Sequence, residues 1–566
     1  MFFRLAEYGL DDLIVCLYKA RKPMAPVTLD CLKRSTSKLT RMSLVLRLVA
    51  FAVSLSAGPS VAFAKGKAEH VVVVVWDGMR PDFITPQYCP NLYALATNGV
   101  FFRNNHCAYV SSTEVNGTAL ATGVHPGRSR VIANTEYRPE ISVTGTFATE
   151  GLDAIRRGDL LTGGNYLGAE TLAEILQDNG IATVIAGTKP VVLLHDRSNK
   201  KHSAAEKESV LLFEGKTIPR SIGDALVKVN DDKNWPSNAI PNAAQDNWTT
   251  RSLIRALWKK TLPKYTLLWL SDPDKSQHDV GVGASNALAG IEASDKNLGE
   301  VIKSLKERGV FDKTDIIVVS DHGFSTIAKG PDVVDILKKA KFTVFKKNEN
   351  PEPGDIMVVG LGGSVMFYVV EHQEPVVRRL VEFLQQSDFA GVIFSKLNIE
   401  GTFPLDSVRY GGTNSGPDVM ISMRWTADKN DHGFPGMFYS MEGTKGKGSH
   451  ASLSRFDMNN TLVASGPDFK RGYVSKTASG NIDVTPTVLW ILGVTPPKPL
   501  DGRVLYEGLS SVSRPAPKSV TRTIEAKRDI GFFRWQQYLK FTEVDGAVYF
   551  NEGNGAPALI SSEQVD

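Results

Sequence analysis

The chain predicts an α/β fold built on a mostly parallel central sheet with helices on both faces. Three observations carry this. Val71–Val75 is an unbroken run of β-branched residues, Tyr265–Leu270 and Asp315–Ser320 are further short apolar runs, and helix-patterned stretches lie between them. Continuous apolar runs of this length mark strands buried on both sides, as a parallel sheet covered by helices requires. With 566 residues, 42% hydrophobic and 22% charged, the chain has ample material for a large core.

The first strand ends in Asp77-Gly78, and Gly78-Met79-Arg80-Pro81 breaks it. Asn91–Ala96 has helical spacing and stops at Asn98-Gly99, after which Val100–Phe102 reads as a short strand. Small residues dominate Ser111–Gly123, with hydroxyls preceding a helix-compatible stretch. Such a hydroxyl is ordinarily an N-cap, but the same helix end also offers free N–H groups to a phosphoryl oxygen. From about 125 to 260 the pattern loosens to one helix (170–178), one strand (182–187) and Gly/Asn-rich connections, which suggests an insertion or lid. The strand Tyr265–Leu270 runs into Ser271-Asp272-Pro273-Asp274, a long helix follows from Ala284 towards Leu305, and the next buried strand ends in Asp321-His322-Gly323. Residues 330–445 read as a second added subdomain. The core pattern returns at Gly448-Ser449-His450, a strand over 461–465 and a helix over 483–492, and the last fifty residues show no clear pattern.

The formal charge of +4 belongs to the first 64 residues, which hold nine Lys/Arg and four Asp/Glu, so the remainder is close to neutral. Nothing in the body therefore suggests a nucleic-acid-binding patch or a membrane-binding one. Residues 1–64 read as a leader. Arg41 and Arg47 precede the apolar run Leu48–Ala57, and Ala62-Phe63-Ala64 has the small-x-small form of a signal-peptidase site. The run is short for a membrane span. It predicts export to the periplasm or medium with no stable span after cleavage, the alternative being an uncleaved anchor, and either Met1 or Met42 is the start. Cys16 and Cys31 lie in the leader. Cys89 and Cys107 are either a disulfide or two buried thiols.

Three buried strands thus end in carboxylates, Asp77, Asp272/Asp274 and Asp321, and two of these ends also carry a histidine, His278 and His322. Carboxylate and imidazole from neighbouring strand ends suit a divalent cation, zinc first, and His450 would extend the set to two metals. Asp279 reads as solvated. Asp431-His432-Gly433-Phe434 copies Asp321-His322-Gly323-Phe324 but follows polar residues, so it reads as a surface loop. His106, His125, His195, His202 and His372 have no partner pattern.

In order and motif the chain resembles the alkaline phosphatase superfamily, and within it the nucleotide pyrophosphatase/phosphodiesterase (type I phosphodiesterase) family. The motifs are Val75–Pro81, Thr113-x-x-Asn116 closing on Ala121-Thr122-Gly123, Pro273-Asp274 with His278 and Gly281, Ser320–Gly323, Gly448-Ser449-His450, Ala464–Lys470 and Asp483–Thr487. The resemblance implies an alkaline phosphatase-like catalytic domain over 65–510, with insertions at about 125–260 and 330–445, and a C-terminal extension over 511–566. It implies two Zn²⁺, or other divalent metals. Asp77, Thr113, Asp321 and His322 would hold one, and Asp274, His278 and His450 the other. Asp274 is preferred to Asp272 because its spacing to His278 is the family's. Thr113 would be the nucleophile, forming a phosphothreonine, and Asn116 would donate to a non-bridging oxygen. Lys189 and Arg197 are candidate substrate contacts in the region where some monoesterases of this kind bind extra phosphate charge.

The substrate implied is a small phosphate ester, nucleotide-like, cleaved at a phosphodiester or pyrophosphate bond. An alkaline phosphomonoesterase of the same fold is the alternative. Glu114-Val115 replaces the apolar-or-aromatic and Pro pair of many relatives, which leaves the substrate open. The nucleophile region lacks the Cys/Ser-x-Pro-x-Arg stretch of sulfatases. A metal-stabilised binding protein without catalysis would have no need of a threonine in the ligand set. Oligomeric state is not legible.

Overall fold

The computed structural model describes residues 66–560 apart from 143–144, 199–201, 259–260, 348–349 and 412–415. The leader, with Met42, Cys16 and Cys31, lies outside the described residues.

The elements that place the site are, in chain order, β1 (His70–Trp76), α1 (Pro90–Asn98), β2 (Val100–Phe102), α2 (Thr113–Thr122), α3 (Leu172–Asp178), β3 (Thr183–Gly187), β4 (Val210–Phe213), β5 (Lys216–Ile218), β6 (Tyr265–Leu270), α4 (Asp274–Val280), α5 (Ser285–Glu307), β7 (Thr314–Val319), β8 (Leu462–Ser465), β9 (Tyr473–Ser475) and α6 (Val484–Leu492). The nine strands form one sheet in the order β9-β2-β8-β7-β1-β6-β3-β4-β5. Only β8 and β5 run against the rest. The predicted, mostly parallel sheet is therefore present.

Its centre explains the valine run. β1 is sandwiched between β7 and β6, with Val75 opposite Val319 on one side and Trp269 on the other. Successive side chains point to opposite faces. Val71, Val73 and Val75 enter one core with Leu172 and Leu176 of α3 and Val488 and Leu489 of α6. Val72, Val74 and Trp76 enter the other with Leu92 and Leu95 of α1 and Leu298, Val301 and Leu305 of α5. None of the five valines could be polar without burying an unpaired group, whereas His70 at the start of the strand has a partner, its Nδ1 facing Pro263 O at 3.0 Å. α1 has no side-chain cap of its own, and Asp295 of α5 supplies one by accepting from the Asn91 and Leu92 N–H groups at 3.1 and 2.9 Å.

The loosened stretch between 125 and 260 is more than an insertion, because β3, β4 and β5 extend the main sheet from within it. β4 and β5 escape sequence detection because each is only three or four residues long. Residues 344–423 form a separate six-stranded sheet. The unpatterned C terminus is a three-stranded antiparallel meander, Ser519–Ile530, Phe533–Val544 and Ala547–Leu559. Its residues enter three hydrophobic clusters, Trp535 in one, Leu539 and Phe550 in a second, and Val544 and Tyr549 in a third. Gln537 exchanges two hydrogen bonds with the Ile393 backbone, and the Trp535 indole donates to Gly401 O at 2.9 Å.

Cys89 and Cys107 are free thiols. Each lies in a different core and donates to backbone carbonyls, Cys89 to Phe83 O and Cys107 to Asp457 O.

Trp535→Ala removes a fully buried indole and its hydrogen bond, so the meander should be integral to stability. The expected loss is about 3–5 kcal/mol, measured by denaturant unfolding. An unchanged midpoint would make the meander an appendage.

Candidate functional site

Three adjacent strands, β7, β1 and β6, finish side by side, and the residues just past their ends converge on one small volume. Asp77 follows β1, Asp321 and His322 follow β7, and Asp274 opens α4 four residues after the end of β6. Gly78 makes the tight turn, with φ +70° and a Cβ position only 3.0 Å from Asp274 Cβ. Its N–H donates to Asp321 Oδ1 at 2.9 Å, and the Asp274 N–H donates to Asp77 O at 2.9 Å. These bonds tie the three strand ends together.

From the opposite side comes α2, whose ten residues are all buried. Thr118 and Thr122 bond back to the carbonyls four residues earlier, and Gly123 closes the helix in the left-handed conformation. A Cβ at Gly117 would stand 2.4 Å from Val191 Cγ2, so only glycine lets the turn Pro190–Leu194 pack against this helix. Thr113, the first helical residue, presents Oγ1 to His322 Nε2 at 3.2 Å.

The ligand atoms form two groups. Asp77, Asp321 and His322 make one and Asp274, His322 and His450 the other, the atoms within each lying within 4.8 Å of one another. His322 Nδ1 faces Gly323 O at 2.8 Å and His450 Nδ1 faces Ser111 O at 2.9 Å. A carbonyl can only accept, so Nδ1 carries the hydrogen in both rings and Nε2 turns a lone pair inward. Those lone pairs meet other acceptors. His322 Nε2 is 3.2 Å from Asp321 Oδ2 and 3.8 Å from Asp77 Oδ1, and His450 Nε2 is 3.7 Å from Asp274 Oδ1. His278 Nε2 adds a further nitrogen 3.2 Å from Asp274 Oδ1, from a half-exposed position at the rim. The oxygens Asp77 Oδ1, Asp274 Oδ1 and Asp321 Oδ2 are buried without a donor. Acceptors facing acceptors out of water are stable only around cations, so the donor set fits divalent metal ions.

Of the remaining oxygens, Asp321 Oδ1 accepts from the Gly78 and His322 N–H groups, and those of Asp77 and Asp274 belong to Lys189. Its Nζ lies 2.9 Å from Asp77 Oδ2, 3.0 Å from Asp274 Oδ2 and 3.5 Å from Thr113 Oγ1. Burial pushes against its charge, but Asp274 and Asp77 hold the ammonium well above the usual lysine range. Burial, and then the Asp321 charge, push Asp77 well above the usual carboxylate range. Burial pushes Asp274 the same way, yet Lys189 and His278 leave it well below. Burial, and then the neighbouring His322 and His278, push His450 well below the usual imidazole range. The Trp269 indole also donates to Asp77 Oδ2 at 2.8 Å.

Two sequence expectations fail here. Asn116 does not face the site. Its Nδ2 donates to the carbonyls of Ala108, Val110 and Ser112, and its Oδ1 accepts from the Ala108 N–H at 2.7 Å. The carboxamide is spent on shaping the loop before α2. Arg197 is likewise spent, forking to Asp159 at 2.5 Å and Glu174 at 2.9 Å. A residue the sequence reading missed is Asn134, whose Oδ1 accepts from the Glu114 N–H at 3.2 Å beside Thr113. It lies in a loop 21 residues after Thr113, where no periodicity could connect them.

Other choices agree with the sequence. Asp272 is consumed by Asn242 N–H and by the Ser276 N–H and hydroxyl. Asp431 and His432 are exposed. His106, His125 and His372 bond elsewhere, to Asn104, Val548 O and Asp418. His195 packs edge-on against Trp269 with its Nε2 unpartnered.

A family model described as type I phosphodiesterase / nucleotide pyrophosphatase matches residues 71–426. The chain is 20% identical over 413 residues to a venom phosphodiesterase of Macrovipera lebetinus, covering 69% of this chain and 42% of that protein. It is 20% identical over 435 residues to a bis(5'-adenosyl)-triphosphatase of Xenopus laevis, covering 75% and 78%. The chain thus spans under half the length of the venom relative. Its fold is similar to that of murine ectonucleotide pyrophosphatase/phosphodiesterase 5, solved as an inactive threonine-to-alanine variant in complex with AMP, with TM-score 0.54, 17% identity and coverage of 78% of this chain and all of that one.

Burial pushes the His195 imidazole down to about 3, so the folded state holds it neutral where the unfolded chain would protonate it. Stability from this group is present above the unfolded value near 6.5 and is lost as pH falls towards 3. Urea unfolding should show wild type losing about 1.4 kcal/mol more than His195→Phe per pH unit below about 6.5. Parallel losses would mean that His195 is not held neutral.

Proposed function

The chain belongs to the type I phosphodiesterase / nucleotide pyrophosphatase family, and from that premise we propose that it is an exported two-zinc phosphohydrolase. It cleaves phosphodiester or pyrophosphate bonds of nucleotide-type substrates through a phosphothreonine. The observation that carries this is the placing of Thr113 Oγ1 3.2 Å from His322 Nε2, the nitrogen common to both ligand groups.

Asp77, Thr113, Asp321 and His322 would hold one metal, and Asp274, His278 and His450 the other. Divalent ions held there would supply positive charge against the developing oxyanions and would lower the pKa of the threonine hydroxyl. Thr113 Oγ1 forms the bond to phosphorus as the alcohol or phosphate leaves, and water then hydrolyses the phosphothreonine. The α2 N-terminus and Asn134, whose Oδ1 is already turned to the Glu114 N–H, take the role expected of Asn116 in meeting a non-bridging oxygen. The inactive threonine variant of the murine relative supports the choice of nucleophile, and its bound AMP supports a nucleotide-like substrate. Export is supported by the leader motif and by the secreted nature of a venom relative. Among the described residues no helix is long and apolar enough to cross a membrane.

The second reading, a phosphomonoesterase, gains from Lys189, whose ammonium reaches the Thr113 hydroxyl and suits a dianionic phosphate. Rates on nitrophenyl thymidine phosphate and nitrophenyl phosphate separate the two. The diester should be favoured, and clear preference for the monoester would replace the first reading by the second.

Thr113→Ala should abolish turnover, by at least about a thousandfold, while two zinc ions per chain remain by metal analysis. Asp77→Ala should lose metal and activity together and still unfold cooperatively. Hydrolysis that survives in Thr113→Ala would sink the covalent route. Asn134→Ala should lower kcat about a hundredfold or more without a change in melting temperature. Asn116→Ala, by contrast, should lower the melting temperature, and the reverse pattern would restore Asn116 to the site.

A further inference from the structure

A cleft of about 430 Å³ borders α3 and shares no residue with the metal centre. Two polar side chains in its wall are buried with an atom unmet. Gln177 is 2% exposed, and its Nε2 donates to Asp196 Oδ2 and Thr183 Oγ1, both at 2.9 Å. The Asp196 carboxylate accepts, which fixes the way the amide points. Gln177 Oε1 is therefore an acceptor, and it is buried without a donor. Arg197 has a side chain 9% exposed and spends Nη1 on Asp159 and Nη2 on Glu174. Its Nε is buried without an acceptor. Glu174 and Gln177 stand one turn apart on α3, and their partners Arg197 and Asp196 are adjacent in the chain. The two contacts thus lie side by side, and the unmet donor and the unmet acceptor are neighbours in one wall. Leu167 adds a buried apolar surface, and the exposed Glu170 and Asp178 stand on the rim with no ion pair among the described residues.

Buried polar groups are normally paired, so an unmet donor beside an unmet acceptor calls for a ligand that serves both. The cleft is far larger than the ~30 Å³ of one water and falls in the range of about 300–1,000 Å³ typical of small-ligand sites. An anion would accept from Arg197 Nε, but it has nothing to donate to Gln177 and meets the charges of Glu170 and Asp178. A cation would donate to Gln177 and leave Arg197 Nε unmet. A hydroxyl donates and accepts at once. We propose that this cleft is a saccharide-binding site that takes a neutral sugar. One sugar hydroxyl donates to Gln177 Oε1 and accepts from Arg197 Nε, further hydroxyls donate to Glu170 and Asp178, and the C–H face of the ring lies on Leu167. The site binds without reacting, since neither Thr113 nor any candidate metal ligand lines it. It is independent of the phosphohydrolase reading and adds a second ligand to it.

The test titrates the zinc-loaded full chain with glucose, galactose, mannose and N-acetylglucosamine, and with glucuronate and spermidine as anionic and cationic counterparts, by calorimetry and saturation-transfer NMR. At least one neutral sugar should bind with a Kd of about 1 mM or tighter, and both ions should bind more weakly. Gln177→Leu should weaken sugar binding about tenfold or more, the scale of one buried hydrogen bond, while hydrolysis of nitrophenyl thymidine phosphate keeps its native rate. Because that variant also takes a donor from Asp196 and Thr183, the double variant Glu170→Ala/Asp178→Ala, at exposed positions, gives a second measure and should weaken binding about fivefold or more. No binding of any of the four sugars overturns the inference and leaves a cleft filled by water. Tighter binding of glucuronate or spermidine overturns it too, as does sugar binding that both variants leave unchanged. A native chain that binds sugar and hydrolyses no ester strikes the phosphohydrolase reading and upholds this one.

Discussion

The structure turns on the burial of Asp77, Asp274 and Asp321 in one volume with a single lysine. Isolated carboxylates out of water cost several kcal/mol each, and one ammonium cannot balance three of them. Lys189 neutralises one oxygen each of Asp77 and Asp274, while an opposing oxygen of each, and one of Asp321, is left to the inward nitrogens of His322, His450 and His278. The fold must therefore hold mutually repelling groups in place, and rigidity is how it does so. β1 is buried on both faces and bonded on both edges, and the bonds from Gly78 and from the Asp274 N–H lock the three strand ends at one level.

That constraint also explains what the sequence disclosed. A strand buried on two faces must be continuously apolar, so β1, β6 and β7 are written in runs of Val, Ile and Leu, and a carboxylate at the end of such a run stands out. The histidines were legible for the same reason, since each follows closely on a strand end or a glycine-rich turn. What escaped were contacts made by loops. Asn134 reaches α2 across 21 residues of irregular chain, and Lys189 owes its position to a turn packed on Gly117. Asn116 misled because a polar residue one helical turn after a nucleophile looks free, whereas here its carboxamide is spent on the bend before α2 and on Asn481, whose Nδ2 donates to its Oδ1 at 3.2 Å. The last two strands on that side of the sheet, β4 and the edge strand β5, were illegible because they are short and because β5 is only partly buried.

The two ligand groups share His322, and its ring stacks on His450 with centroids 3.7 Å apart. Each of these rings is oriented by a backbone carbonyl on its outer nitrogen, one from the turn after β7 and one from the loop before α2. Ring tautomers are thus fixed by main-chain geometry, which no side-chain substitution can easily disturb.

The C-terminal meander has a consequence for cooperativity. Tyr549 donates to Asp483 at 2.8 Å, the His125 ring meets Val548 O at 3.1 Å, and Trp535 closes a cluster of the six-stranded sheet. One three-stranded unit thus completes three hydrophobic clusters that are otherwise built from distant stretches of chain. Peeling it away would open all three at once, so these regions cannot loosen one by one but melt as a single body.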